Sequence, residues 1–225
     1  MSVERDEIAE GGSSHRMKAD ERREQLIRVA MGLFARKGFS GTTTKEIAVA
    51  AGVTEALIFR HFPTKDALYD AILLWRMETS RFADYETRIR AIAERRDDEA
   101  LLRAVASGML DSHRENVDFL RLMFFAGLEN HSLAERFRLR HIKPFVEFLA
   151  DYIAGRQRDG AFCDVDPEAA VQLIIGMPFH YSIQKNLFRC NLLAVDDEQA
   201  IEAFVHLALD GLRTRAASEP KESRS

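Results

Sequence analysis

Residues 42–65 read TTTKEIAVAAGVTEALIFRHFPTK, and this stretch decides the fold. Thr43 and Glu46 have capping-box spacing: a hydroxyl takes a backbone N–H while the carboxylate three residues on reaches back. The box opens a short helix through Ile47, Ala48 and Ala51, and Gly52 closes it. Val53 is an apolar spacer, and Thr54 is a fresh N-cap for a second short helix through Phe59. Pro63 ends that helix, and Thr64-Lys65-Asp66 starts another. Two short helices joined by a Gly-containing turn form a helix-turn-helix. Ala48 and Ala51 are small enough for close approach, and Ile47, Val53 and Ile58 are placed to form a miniature core. In such a unit the first helix braces the second, which presents its N-terminal side chains to base edges in a major groove.

Outward from this stretch the pattern stays helical. On the N-terminal side, Leu26, Ile27, Ala30, Leu33 and Phe34 make one stripe of a helix over 20–37, stopped by Gly38. On the C-terminal side, Leu68, Ala71, Ile72 and Trp75 give the inner face of a long helix from Lys65. Further helices are expected over 98–113, 117–128 and 132–158, with a kink or split at Pro144. Asp166-Pro167-Glu168 opens one to about 187, distorted at Gly176 and Pro178, and Asp196-Asp197-Glu198 opens the last. The expectation is an all-α chain of about nine helices. Residues 1–17 form a disordered tail, with Met17 a second candidate start, and 18–64 a helix-turn-helix domain. A linking helix (65–80) leads into a helical body to 215, and 216–225 are a flexible tail.

The 225 residues hold only 12 Gly and 5 Pro, in keeping with long helices. No apolar run reaches the ~18 residues of a membrane span, and the acidic start lacks a signal-peptide core, so a cytoplasmic location is expected. Cys163 and Cys190 are isolated and fit reduced thiols, not a metal site. The net charge of −4 conceals an asymmetry. Residues 16–76 carry 11 Lys+Arg against 7 Asp+Glu, and residues 77–225 carry 20 against 25. A basic head on an acidic body suits a partner made of phosphates. No phosphate loop, zinc-protease motif or nucleophile elbow is present, so no enzyme activity, cofactor or metal is expected.

The run Leu33-Phe34, Gly38-Phe39, Thr42-Thr43, Ile47-Ala48, Ala51-Gly52-Val53-Thr54, Phe59, His61-Phe62, Lys65 and Leu68-Tyr69 resembles the tetracycline-repressor (TetR) family. The resemblance covers about a quarter of the chain. It implies a homodimeric DNA-binding regulator, most often a repressor, released from a palindromic operator by a small lipophilic effector. Thr43, His61 and Lys65 match phosphate-holding positions, and Thr54, Glu55, Ala56 and Leu57 lie where the family meets base edges. The family commonly has Gly and Thr where this chain has Ala56 and Leu57, and Tyr where it has Phe59 and Arg60. Phe59 therefore loses a hydroxyl contact, and Arg60 adds a cation close by, for phosphate or, alternatively, a guanine edge. Leu57 suits a thymine methyl or the three-helix core. Glu55 suits a cytosine amino group or simply the helix dipole.

In the body, the resemblance implies a dimer through the last two helices, about 167–189 and 197–213. Leu173, Ile174, Met177 and Ile183 are available on one, and Ile201, Phe204, Val205, Ala208 and Leu212 on the other, unless these are internal core. Candidate effector contacts are Met109, His113, Met123, Phe124, Phe125, Gln172, Met177, His180 and Tyr181, although aromatic and Met stripes are more often core. The competing function is a helical protein–protein adaptor that binds no DNA.

Overall fold

The computed structural model describes residues 7–79, 82–190 and 195–214, with side chains within 19–76, 84–190 and 195–214. Eleven α-helices appear among these residues, against about nine expected. They are α1 (Glu7–Lys37), α2 (Thr44–Ala51), α3 (Glu55–His61), α4 (Lys65–Thr79), α5 (Phe82–Glu94) and α6 (Asp98–Glu115). The remainder are α7 (Val117–Leu128), α8 (Ser132–Phe137), α9 (Lys143–Arg158), α10 (Pro167–Ser182) and α11 (Asp197–Leu212). Two π-helical segments, π1 (Arg138–Ile142) and π2 (Ile183–Leu187), follow α8 and α10. No strand forms among the described residues, only one isolated bridge between Phe162 and Arg213.

Several boundaries differ from the sequence reading, each for a local reason. The backbone is helical from Glu7, through the Gly-Gly-Ser-Ser run expected to be disordered. Each Gly costs about 1 kcal/mol in a helix, but extending an existing helix needs no new nucleus. The expected tails at residues 1–6 and 216–225 lie outside the described residues. The expected helix over 132–158 splits as Pro144 required: α8 gives way to π1, and Pro144 sits in the first turn of α9, where its missing N–H costs nothing. In α10 the chain runs helically through Gly176 and Pro178, and the irregular turn comes after it, as π2. The sequence reading did not delimit α5.

The chain forms two compact units, Met1–Ser80 with Asp118–Phe137, and Arg81–Val117 with Arg138–Ser225. In the first, α1 contributes Leu26, Ile27, Ala30 and Phe34 to a core closed by Ile47, Ile58, Leu68 and Ile72, all at most 1% exposed. Leu122 and Ala126 of α7 and Leu133 of α8 are fully buried in the same cluster. Tyr69 lies at its centre, edge-on to Phe34 at 4.8 Å between ring centroids.

In the second unit, Leu101, Val105 and Leu110 of α6 pack with Leu149 and Ile153 of α9, Val171 and Ile174 of α10, and Ile201 and Val205 of α11. A half-buried fork fastens α9 to the start of α6. Arg156 donates from Nε and Nη2 to the two oxygens of Asp98 at 2.8 and 2.9 Å, and Tyr152 Oη donates to Oδ1 at 2.5 Å. Bidentate charge-assisted geometry of this kind is the strong form of an ion pair.

The expected dimer stripe on α11 is corrected here. Ile201, Val205, Ala208 and Leu212 are at most 5% exposed and belong to the second unit's own core, as does Ile174, and Ile183 is also buried. Period 3.6 marks an apolar face, not what covers it. The opposite faces are open: Leu173 is 54%, Phe179 37% and Leu207 62% exposed. Both cysteines are free and half-buried.

Candidate nucleic-acid interface

The entry to α2 is built as its residue types dictate. Thr43 Oγ1 accepts from Glu46 N at 3.2 Å, and Thr43 N donates to Glu46 Oε2 at 2.9 Å, completing the capping box. Lys37 Nζ, 2.5 Å from Glu46 Oε1, together with Thr43, holds the Glu46 carboxyl down at about 2. The box therefore stays charged across ordinary pH. Gly52 closes α2 at φ 67, a left-handed value that other residues adopt at a steric cost. Thr54 caps α3 through Leu57 N at 3.3 Å.

Helix α3 buries one side chain, Ile58. Ala56, Phe59 and Arg60 are exposed. Leu57 is half-buried and does not join the first unit's apolar cluster, which removes the three-helix-core reading of this residue. Glu55 is not a freely solvated first-turn acid, because Thr44 Oγ1 donates to Glu55 Oε1 and restrains it. Arg60 has no hydrogen-bond or ion-pair partner among the described residues. Burial first, then the charges of Arg60, Arg23 and Arg22, push the half-buried His61 below its ordinary 6.5, so it is a neutral imidazole at pH 7.

Beside α3 lies an open cleft of about 440 Å³ lined by Ser40, Thr42, Thr43, Thr44, Phe59, Pro63, Thr64 and Lys65. Its hydroxyls are unequal. Thr42 Oγ1 donates to Gly38 O at 2.8 Å, Thr43 Oγ1 to Glu46 Oε2 at 3.1 Å, and Thr44 Oγ1 to Glu55. A hydroxyl has one proton, so these three donors are committed inside the protein. Thr64 Oγ1 accepts from Ala67 N at 3.0 Å and keeps its own proton, and Ser40 Oγ has no protein partner among the described residues.

Two expected phosphate contacts thus have prior duties. Thr43's proton belongs to the capping box. Lys65 Nζ donates to Phe39 O at 2.9 Å and Thr42 O at 3.1 Å, and sits 4.1 Å from the Phe39 ring centroid. Its ammonium ties the start of α4 to the α1–α2 turn, leaving at most one donor for the cleft. Sequence reasoning missed Ser40, Thr64 and the exposed, unpartnered Lys45. For Thr64 a signal existed, a hydroxyl residue directly before a helix start. For Ser40 there was none.

The candidate effector residues divide. Met123 packs against the first unit's core. Phe125 approaches Gly38 of that unit, its Cδ1 3.1 Å from where a Cβ there would sit, and the half-buried Phe124 lies beside it in sequence. Of those in the second unit, Gln172 and His180 are exposed, and Tyr181 Oη donates within its own unit, 3.0 Å from Val195 O and 3.1 Å from Asp197 Oδ1. Met109 and Met177 are half-buried, Met177 against the second core. His113 is different. Its Nδ1 meets the fully buried Ser182 Oγ at 3.0 Å, Asn186 Nδ2 donates to the same oxygen at 3.0 Å, and burial lowers the His113 pKa to about 4. A gap lined by Leu102, Ala106, Ile174, Met177, Phe204, Val205 and Ala208 holds only about 10 Å³, room for no more than one water.

A capped bihelical reader with an exposed second helix, beside a hydroxyl-lined cleft, defines a helix-turn-helix regulator. Residues 26–72 match the family model described as bacterial regulatory proteins, tetR family. Over 207 residues the chain is 24% identical to the HTH-type transcriptional regulator RutR of Escherichia coli (strain K12), covering 86% of this chain and 92% of RutR. It is 26% identical over 200 residues to the HTH-type transcriptional activator FasR of Mycolicibacterium smegmatis, covering 88% of this chain and 86% of FasR. The fold is similar to that of AibR solved in complex with isovaleryl coenzyme A and operator DNA, with a TM-score of 0.64 and 22% identity over 83% of this chain and 97% of AibR. The match places a tetR-family helix-turn-helix in residues 26–72, and the relatives that align over most of the chain are HTH-type transcriptional regulators.

Proposed function

We propose that this regulator binds a palindromic operator as a homodimer, acts as a repressor, and is released by a small lipophilic effector. One observation carries the DNA reading: the donors without protein partners converge around α3. Arg60, Ser40 and Thr64 are exposed, and Ser40 and Thr64 line the cleft beside α3. Such side chains are the groups that hold phosphates. With the cleft on a phosphate, Thr54, Glu55, Ala56 and Leu57 face base edges, while Phe59 and His61 meet the backbone. Thr43 adds a contact only by rearranging, while Lys65 has its third donor left for the cleft.

Glu55 is the sequence reader in this scheme. A carboxylate repels phosphate, and its restraint by Thr44 aims it as an acceptor for a cytosine amino group. Sites selected from random duplexes by wild type and by Glu55→Ala test this. A lost cytosine preference at one symmetric position supports it, and an unchanged site removes it.

The homodimer is supported by the open apolar faces of α10 and α11, Leu173 and Phe179 with Leu207. Two heads then meet half-sites about 34–36 Å apart. The effector reading rests on the aromatic lining of the second unit and on AibR's complex with an acyl thioester. His113, Ser182 and Asn186 would meet an uncharged polar end of the ligand, which enters by opening the packed interior. The relatives include one named as an activator, so a promoter reporter scores the sign of control: expression rising on deletion of the regulator supports repression. We place the protein in the cytoplasm with the duplex it reads. No described helix is long and apolar enough to cross a membrane. Salt titration separates this function from a protein–protein adaptor, because duplex affinity falls steeply with salt by counterion release.

A further inference from the structure

The α1–α2 turn, residues 38–42, leads directly into the Thr43 cap and carries Ser40 into the cleft. Its polar groups are held from far along the chain. Phe39 N donates to Glu129 Oε2 at 2.9 Å and Ser40 N to Glu129 Oε1 at 3.1 Å, one carboxylate oxygen per amide. On the other side, Lys65 takes the Phe39 and Thr42 carbonyls. The corner bearing Glu129 is itself shaped for the task. Asn130 is left-handed at φ 54, and the His131 ring packs at a tilt 4.6 Å from Phe39 and edge-on 4.7 Å from Tyr69, with Nδ1 accepting from Leu133 N at 3.1 Å. Gly38 makes room: at φ 74, a Cβ there would lie 2.7 Å from Glu129 Oε1.

We infer that Glu129 is a positioning residue for DNA recognition, whose carboxylate fixes the α1–α2 turn and thereby the register of Ser40 and of α2 at the duplex. The inference rests on the DNA-binding reading above. Two arguments carry it. Ser40 is exposed, so water would satisfy its amide, and the turn does not need a carboxylate merely to avoid an unpaired donor. Moreover, an anion bonded to a residue of a phosphate cleft opposes DNA by charge alone. Its retention there is accounted for by geometry.

The two effects of the carboxylate have opposite signs, which makes the test decisive. Glu129→Gln removes the charge and sets an amide N–H against a backbone N–H. Glu129→Asp keeps the charge but falls a methylene short. Both variants are expected to bind the selected operator about tenfold more weakly or worse, with melting temperature and salt dependence unchanged. Operator affinity in Glu129→Gln equal to or tighter than wild type overturns the inference. Amide exchange of Phe39 and Ser40 in wild type gives a readout independent of whether a variant folds: protection supports it, and exchange at the free rate overturns it. A wild-type protein that ignores every duplex brings down the DNA-binding reading, and this inference with it. Wild-type binding with an indifferent Glu129→Gln brings down the inference alone.

Discussion

Helices α3 and α10 both turn a face outward, and the two faces are made of different material. Helix α3 spans Glu55–His61, buries only Ile58, and depends on caps and neighbours for its place. Its outward side chains are mixed in polarity, and its cleft keeps donors without protein partners. Helix α10 spans Pro167–Ser182, is anchored by Ala170, Val171 and Ile174, and shows Leu173 and Phe179 to the outside. The difference fits two kinds of partner. A charged duplex is met by groups left unpaired at low cost in water, whereas a second protein surface is met by apolar area.

The largest effect that bears on this contrast lies on the apolar side. Leu173→Asp combined with Leu207→Asp should leave the fold intact, since both residues are more than half exposed. It should convert the protein to a monomer in light scattering and weaken operator binding by roughly 100-fold or more, through loss of bivalency. An unchanged dimer would place the subunit contact elsewhere.

A smaller effect sharpens the picture of the second unit's interior. His113, held at about 4 against an ordinary 6.5, binds its proton less readily when folded. Stability from the neutral form is therefore complete above pH 6.5 and is lost as pH falls toward 4. Between pH 7 and pH 5 the loss is about 2 kcal/mol. Urea melts at the two pH values should show it in wild type and not in His113→Gln.

The smallest expected change is on the DNA side. Thr54→Ala removes the α3 cap at a cost of about 1 kcal/mol in the first unit. Because α3 has so little core of its own, operator affinity should drop more than thermal stability does. Equal losses would mean that α3 is held mainly by packing.

What could be read in the sequence follows from range. The Thr43–Glu46 box, the Gly52 stop and the Thr54 and Asp166 caps are interactions among near neighbours, and each forms where the residue pattern puts it. The split at Pro144 was legible for the same reason, but the π form of the segment before it was not. Lys65 and Glu129 were not, because their partners lie 26 and 90 residues away and no local pattern signals them. The α11 stripe was visible, yet its cover was not: Ile201 and Val205 face inward while Leu207 faces out. Helix α5 went undelimited.

The bare ring of Phe59 has a thermodynamic corollary. It stands 44% exposed, and Val49 on α2 is 76% exposed. A duplex laid over these groups withdraws hydrocarbon from water, so calorimetry of association should show a negative heat-capacity change even where counterions dominate the salt dependence. Phe59→Tyr adds a hydroxyl that water or a phosphate can bond, and should make that change shallower.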